Sequence, residues 1–246
     1  MRLLLASILC FTWCGCVQPP SPATKPAAQD DAGLYLILAV PSDGLVIDGR
    51  LDEPAWKQAR AMTDFSAPWS PVPPQKTEFR AFTDKQTLYF AFVVADDNLV
   101  LAQPYRGELT LDQEDRVELY FANDDKLARY WCLEIDAAGR VHDFAAKFDR
   151  DFDHTWDCPG LKVAATRGQN GYTVEGSMPL ASLAAMGLGP IRPGTTIVGG
   201  LFRADFKPSQ QRPGHIEETW ITWIDPKTAR ATFHVPAAYG RFRFGG

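Results

Sequence analysis

The chain of 246 residues predicts an all-β fold, one antiparallel β-sandwich of immunoglobulin-like or jelly-roll-like type with one or two short helices. Three observations carry this expectation. Apolar and aromatic runs of strand length recur, separated by Gly, Pro, Asn and Asp. Several runs alternate, as where Val117, Leu119 and Phe121 oppose Arg116, Glu118 and Tyr120. No helix-length pattern alternates with the strands, which argues against the parallel sheet of a dinucleotide-binding fold.

The elements follow in order. The first folded strand is expected over 34–40 (LYLILAV), with a short one at 45–48. Asp52-Glu53-Pro54-Ala55-Trp56 places acidic residues and then Pro in a first turn, a helix start. Trp56 on that helix is expected to be core packing that plugs one end of the sandwich. Strands are expected at 77–83 (TEFRAFT), 87–95 (TLYFAFVVA), 115–122 and 129–136. Ala137-Ala138-Gly139 is short enough to join the last of these to a strand at 140–148 as a hairpin. Further strands are expected at 161–166, 171–178, 195–205, 217–224 and 240–244, with a second short helix from Pro179 to Met186. No internal repeat is present.

Composition bounds the function. With 46% hydrophobic and 22% charged residues the chain is an ordinary globular one, not disordered or fibrous. A net charge of −5 without a basic run excludes an electrostatic nucleic-acid partner. The first residues look like an address. Leu3 to Trp13 is apolar but shorter than the roughly 20 residues of a spanning helix, which suits a secretory signal over 1–15. Trp13-Cys14-Gly15-Cys16 resembles a bacterial lipobox with Cys16 lipidated, and Val17 after it resembles an outer-membrane sorting signal. Residues 16–33, rich in Pro and Ala, read as a tether, and 34–246 as the folded domain. The expected location is the cell envelope, as an outer-membrane lipoprotein facing periplasm or surface, with the lipid anchor its one membrane contact.

Catalytic patterns are weak. Ser177 and Ser182 lie in no Gly-x-Ser-x-Gly elbow, and no His-x-x-x-His or Cys-x-x-Cys spacing occurs. Glu118 and Glu134 supply two carboxylates, as glycosidase chemistry needs, but acids on strand faces are common. No catalytic residue is assigned and the chain is expected not to be an enzyme. The run Asp149 to Asp157 (DRDFDHTWD) gathers oxygen ligands of the kind calcium takes, without EF-hand spacing. Cys132 and Cys158 remain after the signal and Cys16; in an oxidising compartment a disulfide between them is allowed by the sequence but not required. Trp220 and Trp223 fall on opposite faces of an alternating strand, so one belongs to the core and the other to a cleft or rim. His234 is expected to be structural.

One string is distinctive: Val46-Ile47-Asp48-Gly49-Arg50-Leu51-Asp52-Glu53-Pro54-Ala55-Trp56. In order after it come Thr87-Leu88-Tyr89-Phe90, then Asp115-Arg116-Val117-Glu118-Leu119-Tyr120-Phe121, then Tyr130-Trp131-Cys132-Leu133-Glu134-Ile135-Asp136. Trp156 to Lys162, Gly171 to Glu175, Trp223 to Pro226 and Phe233 to Pro236 complete the set. Together these resemble family 9 carbohydrate-binding modules and their relatives, the DOMON-like β-sandwiches, across essentially 40–244. The resemblance implies noncatalytic binding of a poly- or oligosaccharide, supporting carbohydrate catabolism by partner glycoside hydrolases of the surface or periplasm. It also implies a binding set of Glu118, Glu134, Arg203 and Phe233 and leaves room for structural calcium as in relatives; strand alternation adds Trp223 as a candidate for the cleft. Phe233 falls on one of two aromatic platform positions; the other, around Asp112, is not aromatic, and Tyr105 or Trp69 would have to substitute from a loop. Two alternatives stand beside it. A haem-binding DOMON-type electron-transfer module would use His142 and Met178 as axial ligands, and a structural envelope protein would keep the fold without the sugar site.

Overall fold

The computed structural model describes residues 33–209 and 212–246. The signal, the lipidated Cys16 and the tether up to residue 32 therefore lie outside the described residues. In chain order the elements are β1 (Leu34–Ala39), α1 (Pro54–Gln58), β2 (Thr77–Thr83), β3 (Thr87–Ala95), β4 (Arg116–Ala122), β5 (Tyr130–Asp136) and β6 (Val141–Lys147). They continue with β7 (Asp151–Asp153), β8 (Lys162–Gly168), β9 (Gly171–Pro179), α2 (Leu180–Ala185), β10 (Thr196–Pro208), β11 (Ile216–Thr222) and β12 (Gly240–Phe244). Single 3-10 turns occupy Glu108–Gln113 and Pro236–Ala238.

One layer runs β7-β6-β5-β4-β10-β12, with β11 also on β10; the other runs β2-β3-β9-β8. β1 joins them, pairing over Leu34–Ile37 with β12 and over Leu38–Ala39 with β2. Both of these pairs are parallel, unlike the wholly antiparallel expectation. A parallel pair needs a long crossover, and here most of the domain lies between β1 and β12. Every other strand pair among the described residues is antiparallel, so the expected sandwich stands.

Strand periodicity explains three apolar groups. Between the layers, Phe79, Phe90 and Phe92 meet Val117, Leu119, Phe121, Leu133, Ile135, Leu201 and Phe242. Gly199 permits this closure, because a Cβ there would lie 2.1 Å from the Phe242 ring. On the outer face of the first layer, Tyr120, Tyr130, Phe144 and Phe202 are covered by Phe233 and Tyr239 from the segment after β11. All seven residues of β4 are buried, so its alternation separates two buried faces.

The third group lies outside the second layer, where Trp56 packs on Phe82, Val40 and Ala91. Trp56 is core as expected, but it covers a sheet face and does not plug an end. Its indole N–H donates to Glu175, whose other oxygen accepts the Asp48 and Gly49 N–H groups. These bonds hold residues 45–48 as a loop, where a strand was expected.

The disulfide that the sequence allowed is absent. Cys132 and Cys158 are both free and buried. Cys132 faces the outer group and Cys158 the inter-layer core, so a sheet layer separates their side chains.

Candidate functional site

Three neighbouring strands place charged residues in transverse rows on the outer face of the first layer. Arg116 pairs with Ala204 of β10, and Ala204 pairs with Trp220 of β11. The small Ala204 leaves room for the guanidinium to lie over Trp220, 5.2 Å from the ring centroid. In the next row Phe202, Glu118, Glu134 and His142 are successive cross-strand partners.

Two carboxylates directly opposite each other repel. Arg116 resolves this by donating from Nε to Glu118 at 2.9 Å and lying 3.2 Å from Glu134. Tyr120 donates to the other Glu118 oxygen at 3.1 Å, and His142 Nδ1 lies 3.1 Å from Glu134. Burial, with Glu134 opposite, pushes the Glu118 carboxyl up to about 8. Burial acts on Glu134 the same way, but Arg116 and His142 outweigh it and hold Glu134 below the ordinary range. Burial disfavours the charged form of His142, yet Glu134 and Asp112 raise its pKa.

Solvent reaches this floor at few points. Arg116, Glu118, Glu134 and His142 are all buried, whereas Trp220 is half-buried and Asp112 and His154 are exposed. Asp112, in the 3-10 turn over β6, puts a carboxylate oxygen 3.7 Å from His142 Nδ1. Phe233 is 5% exposed and sits beneath Trp220 at 4.5 Å between centroids, also packed on Phe202 and His234. It supports the half-buried aromatic face.

Two expected site residues lie elsewhere. Arg203 pairs with Val117, so it points between the layers, fully buried, with Asp96 at 2.9 Å and Asp205 at 3.7 Å. An odd position on β10 faces the interior where Phe202 and Ala204 face outward, so Arg203 is not on the face of the implied binding set. Trp223 stacks on Phe242 at 5.8 Å, on the inter-layer side; Trp220 is the tryptophan at the site. Tyr105 lies under the Arg140 guanidinium, and Trp69 donates to the Thr228 carbonyl.

A haem does not fit the residues named for it. Met178 is buried in the inter-layer core while His142 is on the outer face, so the two cannot flank one haem. The Asp149–Asp157 run spreads along β7 and its flanks, and among the described residues it contributes to no group of converging ligand atoms. Asp96, Asp115 and Asp205 do converge. There Arg203 already supplies the positive charge, and Asp115 accepts the Val100 and Phe206 N–H groups.

Arg116, His142 and Trp220 were missed as site residues. Arg116 shares a strand face with Glu118, and the hairpin at 137–139 sets His142 opposite Glu134, so both were within reach of period-two counting. Choosing Trp220 required the β10–β11 register. A cleft of about 690 Å³ lies away from this face, between Pro41, Asp84, Leu180 and Pro193.

Comparison with known proteins adds to this geometry. A model of the carbohydrate family 9 binding domain-like family matches residues 47–246. A protein from Bacteroides uniformis ATCC 8492 described as carbohydrate-binding shares 15% identity and a TM-score of 0.64, covering 86% of this chain and 98% of its own. A family 9 carbohydrate-binding module from Caldicellulosiruptor kristjanssonii, in complex with glucose, shares 17% identity and a TM-score of 0.57, over 87% of this chain and 96% of its own. In complex with cellotriose, a family 9 module from the same organism gives 17% and 0.56, over 87% and 94%. At these identities the structures establish a shared fold. A search of the curated proteins by sequence finds no match.

Proposed function

Because the chain belongs to the carbohydrate family 9 binding domain-like family, we propose that it is a noncatalytic carbohydrate-binding protein whose site is the outer face around Trp220 and Arg116. The observation that carries this is a half-buried indole bordered by a hydrogen-bonded charged floor. A sugar ring has apolar faces and a polar rim, so it needs an aromatic surface beside directional polar groups. Trp220 supplies the surface with Phe233 behind it; Asp112 and His154 are the exposed groups beside His142. The complexes of the family 9 modules with glucose and cellotriose support a glycan as ligand.

The test is an affinity-gel and glycan-array screen of the domain from residue 33 onward. Trp220→Ala should weaken binding to the retained glycan by about 1–3 kcal/mol, roughly 5- to 150-fold, the scale of one desolvated aromatic anchor, while the thermal midpoint shows that the domain is folded. Unchanged retention would place the ligand elsewhere. Arg116→Ala is a poor probe, because it leaves two buried carboxyls uncompensated and should destabilise by about 3–5 kcal/mol.

A second reading, a structural envelope protein without a sugar site, is favoured by the floor being satisfied within the protein. Failure to retain any glycan would support it. On either reading we propose a lipid anchor at Cys16 and the cell envelope as location; partner glycoside hydrolases belong to the first reading alone.

A further inference from the structure

We propose that Asp112, Glu134 and His142 form a binding site for a divalent transition-metal ion of the zinc class. His142 Nδ1 lies 3.1 Å from Glu134 Oε2 and 3.7 Å from Asp112 Oδ1, and all three ligand atoms fall within 4.8 Å of one another. A tetrahedral ion with bonds of about 2.0–2.1 Å holds its ligand atoms about 3.3 Å apart, so these three already have nearly the required spacing. One imidazole and two carboxylates suit Zn²⁺ or Ni²⁺ better than a soft ion such as Cu⁺.

The surroundings point the same way. A metal-bound histidine usually gives its second N–H to an acceptor that orients the ring. His142 has that partner: its Nε2 lies 3.0 Å from His154 Nδ1, and the two rings are stacked with centroids 5.2 Å apart. Arg116 Nε lies 3.2 Å from the same Glu134 oxygen, and its positive charge keeps that carboxylate in the ionised form a ligand needs. On binding, the Nδ1 proton of His142 leaves to solvent, and the ion takes its place between His142 and Glu134. Two ligands come from paired strands β5 and β6 and are buried, while Asp112, its side chain 55% exposed, admits the ion from solvent. Mixed nitrogen and oxygen donors with an oriented imidazole distinguish this trio from the all-carboxylate group at Arg203.

The experiment uses the untagged full chain, stripped with chelator and titrated with Zn²⁺ alone by calorimetry, so it does not depend on any glycan. One ion per chain is expected. Asp112→Asn, at an exposed position, should weaken binding at least tenfold without moving the thermal midpoint of the metal-free protein. Cu²⁺ as a spectroscopic probe should show coupling to one imidazole nitrogen that survives in His154→Gln and disappears in His142→Gln. No saturable Zn²⁺ binding, an Asp112→Asn affinity equal to the wild type, or a copper signal that persists without His142 would each overturn the proposal.

Discussion

A single buried imidazole sets a measurable pH response. Burial, with Arg150 nearby, lowers the pKa of His234 to about 4, and its Nδ1 lies 3.1 Å from the Tyr130 hydroxyl. Between about 4 and 6.5 the unfolded chain binds a proton at this position and the folded one does not, so stability is lost as pH falls through that window. The loss attributable to His234 is about 3 kcal/mol at most. Glu118 and Asp115, pushed up by burial to about 8 and about 7, act oppositely, because the folded state holds their protons to higher pH. The difference between wild type and His234→Gln isolates the residue. Chemical denaturation at pH 6.5 and pH 4 should show the wild type losing more stability than the variant; equal losses would mean that His234 accepts a proton in the folded state.

At the scale of elements, the loop before α1 is held by backbone geometry that few residues tolerate. Gly49 has φ +83°, and a Cβ there would come within 2.8 Å of the Ala165 backbone. Its N–H donates to Glu175 and its carbonyl accepts from Thr166, so the loop cannot shift without losing both bonds. Gly44 has φ +75° in open space. Gly44→Ala should therefore cost about 1–2 kcal/mol, the left-handed penalty alone, and Gly49→Ala clearly more. Equal midpoints in urea would show that the loop relaxes freely. Much at this scale was legible beforehand. The strands 77–83, 87–95 and 240–244 fall where periodicity predicts them, and Pro54 opens α1. The short β7 and the 3-10 turn at 108–113 were not legible, because neither is long enough to complete a hydrophobic period.

For the whole molecule, Ala32–Gly246 form one compact unit, and the proposed anchor at Cys16 precedes it in the sequence. Cys16→Ser should release the protein from the membrane fraction into the soluble fraction while the domain keeps its thermal midpoint. A wild type already found soluble and unlipidated would remove the anchor from the proposal. Among the described residues no helix is long and apolar enough to cross a membrane.

The chain's own pattern determined the strands, the antiparallel hairpin that sets Glu134 against His142, and the ordered motifs of the family. Tertiary structure alone decided which tryptophan borders the site, that Arg203 turns inward, that Phe233 lies beneath Trp220, and that Cys132 and Cys158 stand on opposite sides of a layer. The physical reason is that a period of two tells which residues share a face without telling which way that face points. Where only one face is apolar, burial resolves the ambiguity, as in the first half of β2, where Phe79 and Ala81 are buried and Glu78 and Arg80 are not. In β4 and β10 both faces are buried, and only the register with neighbours distant in sequence assigns each side chain to the core or to the site.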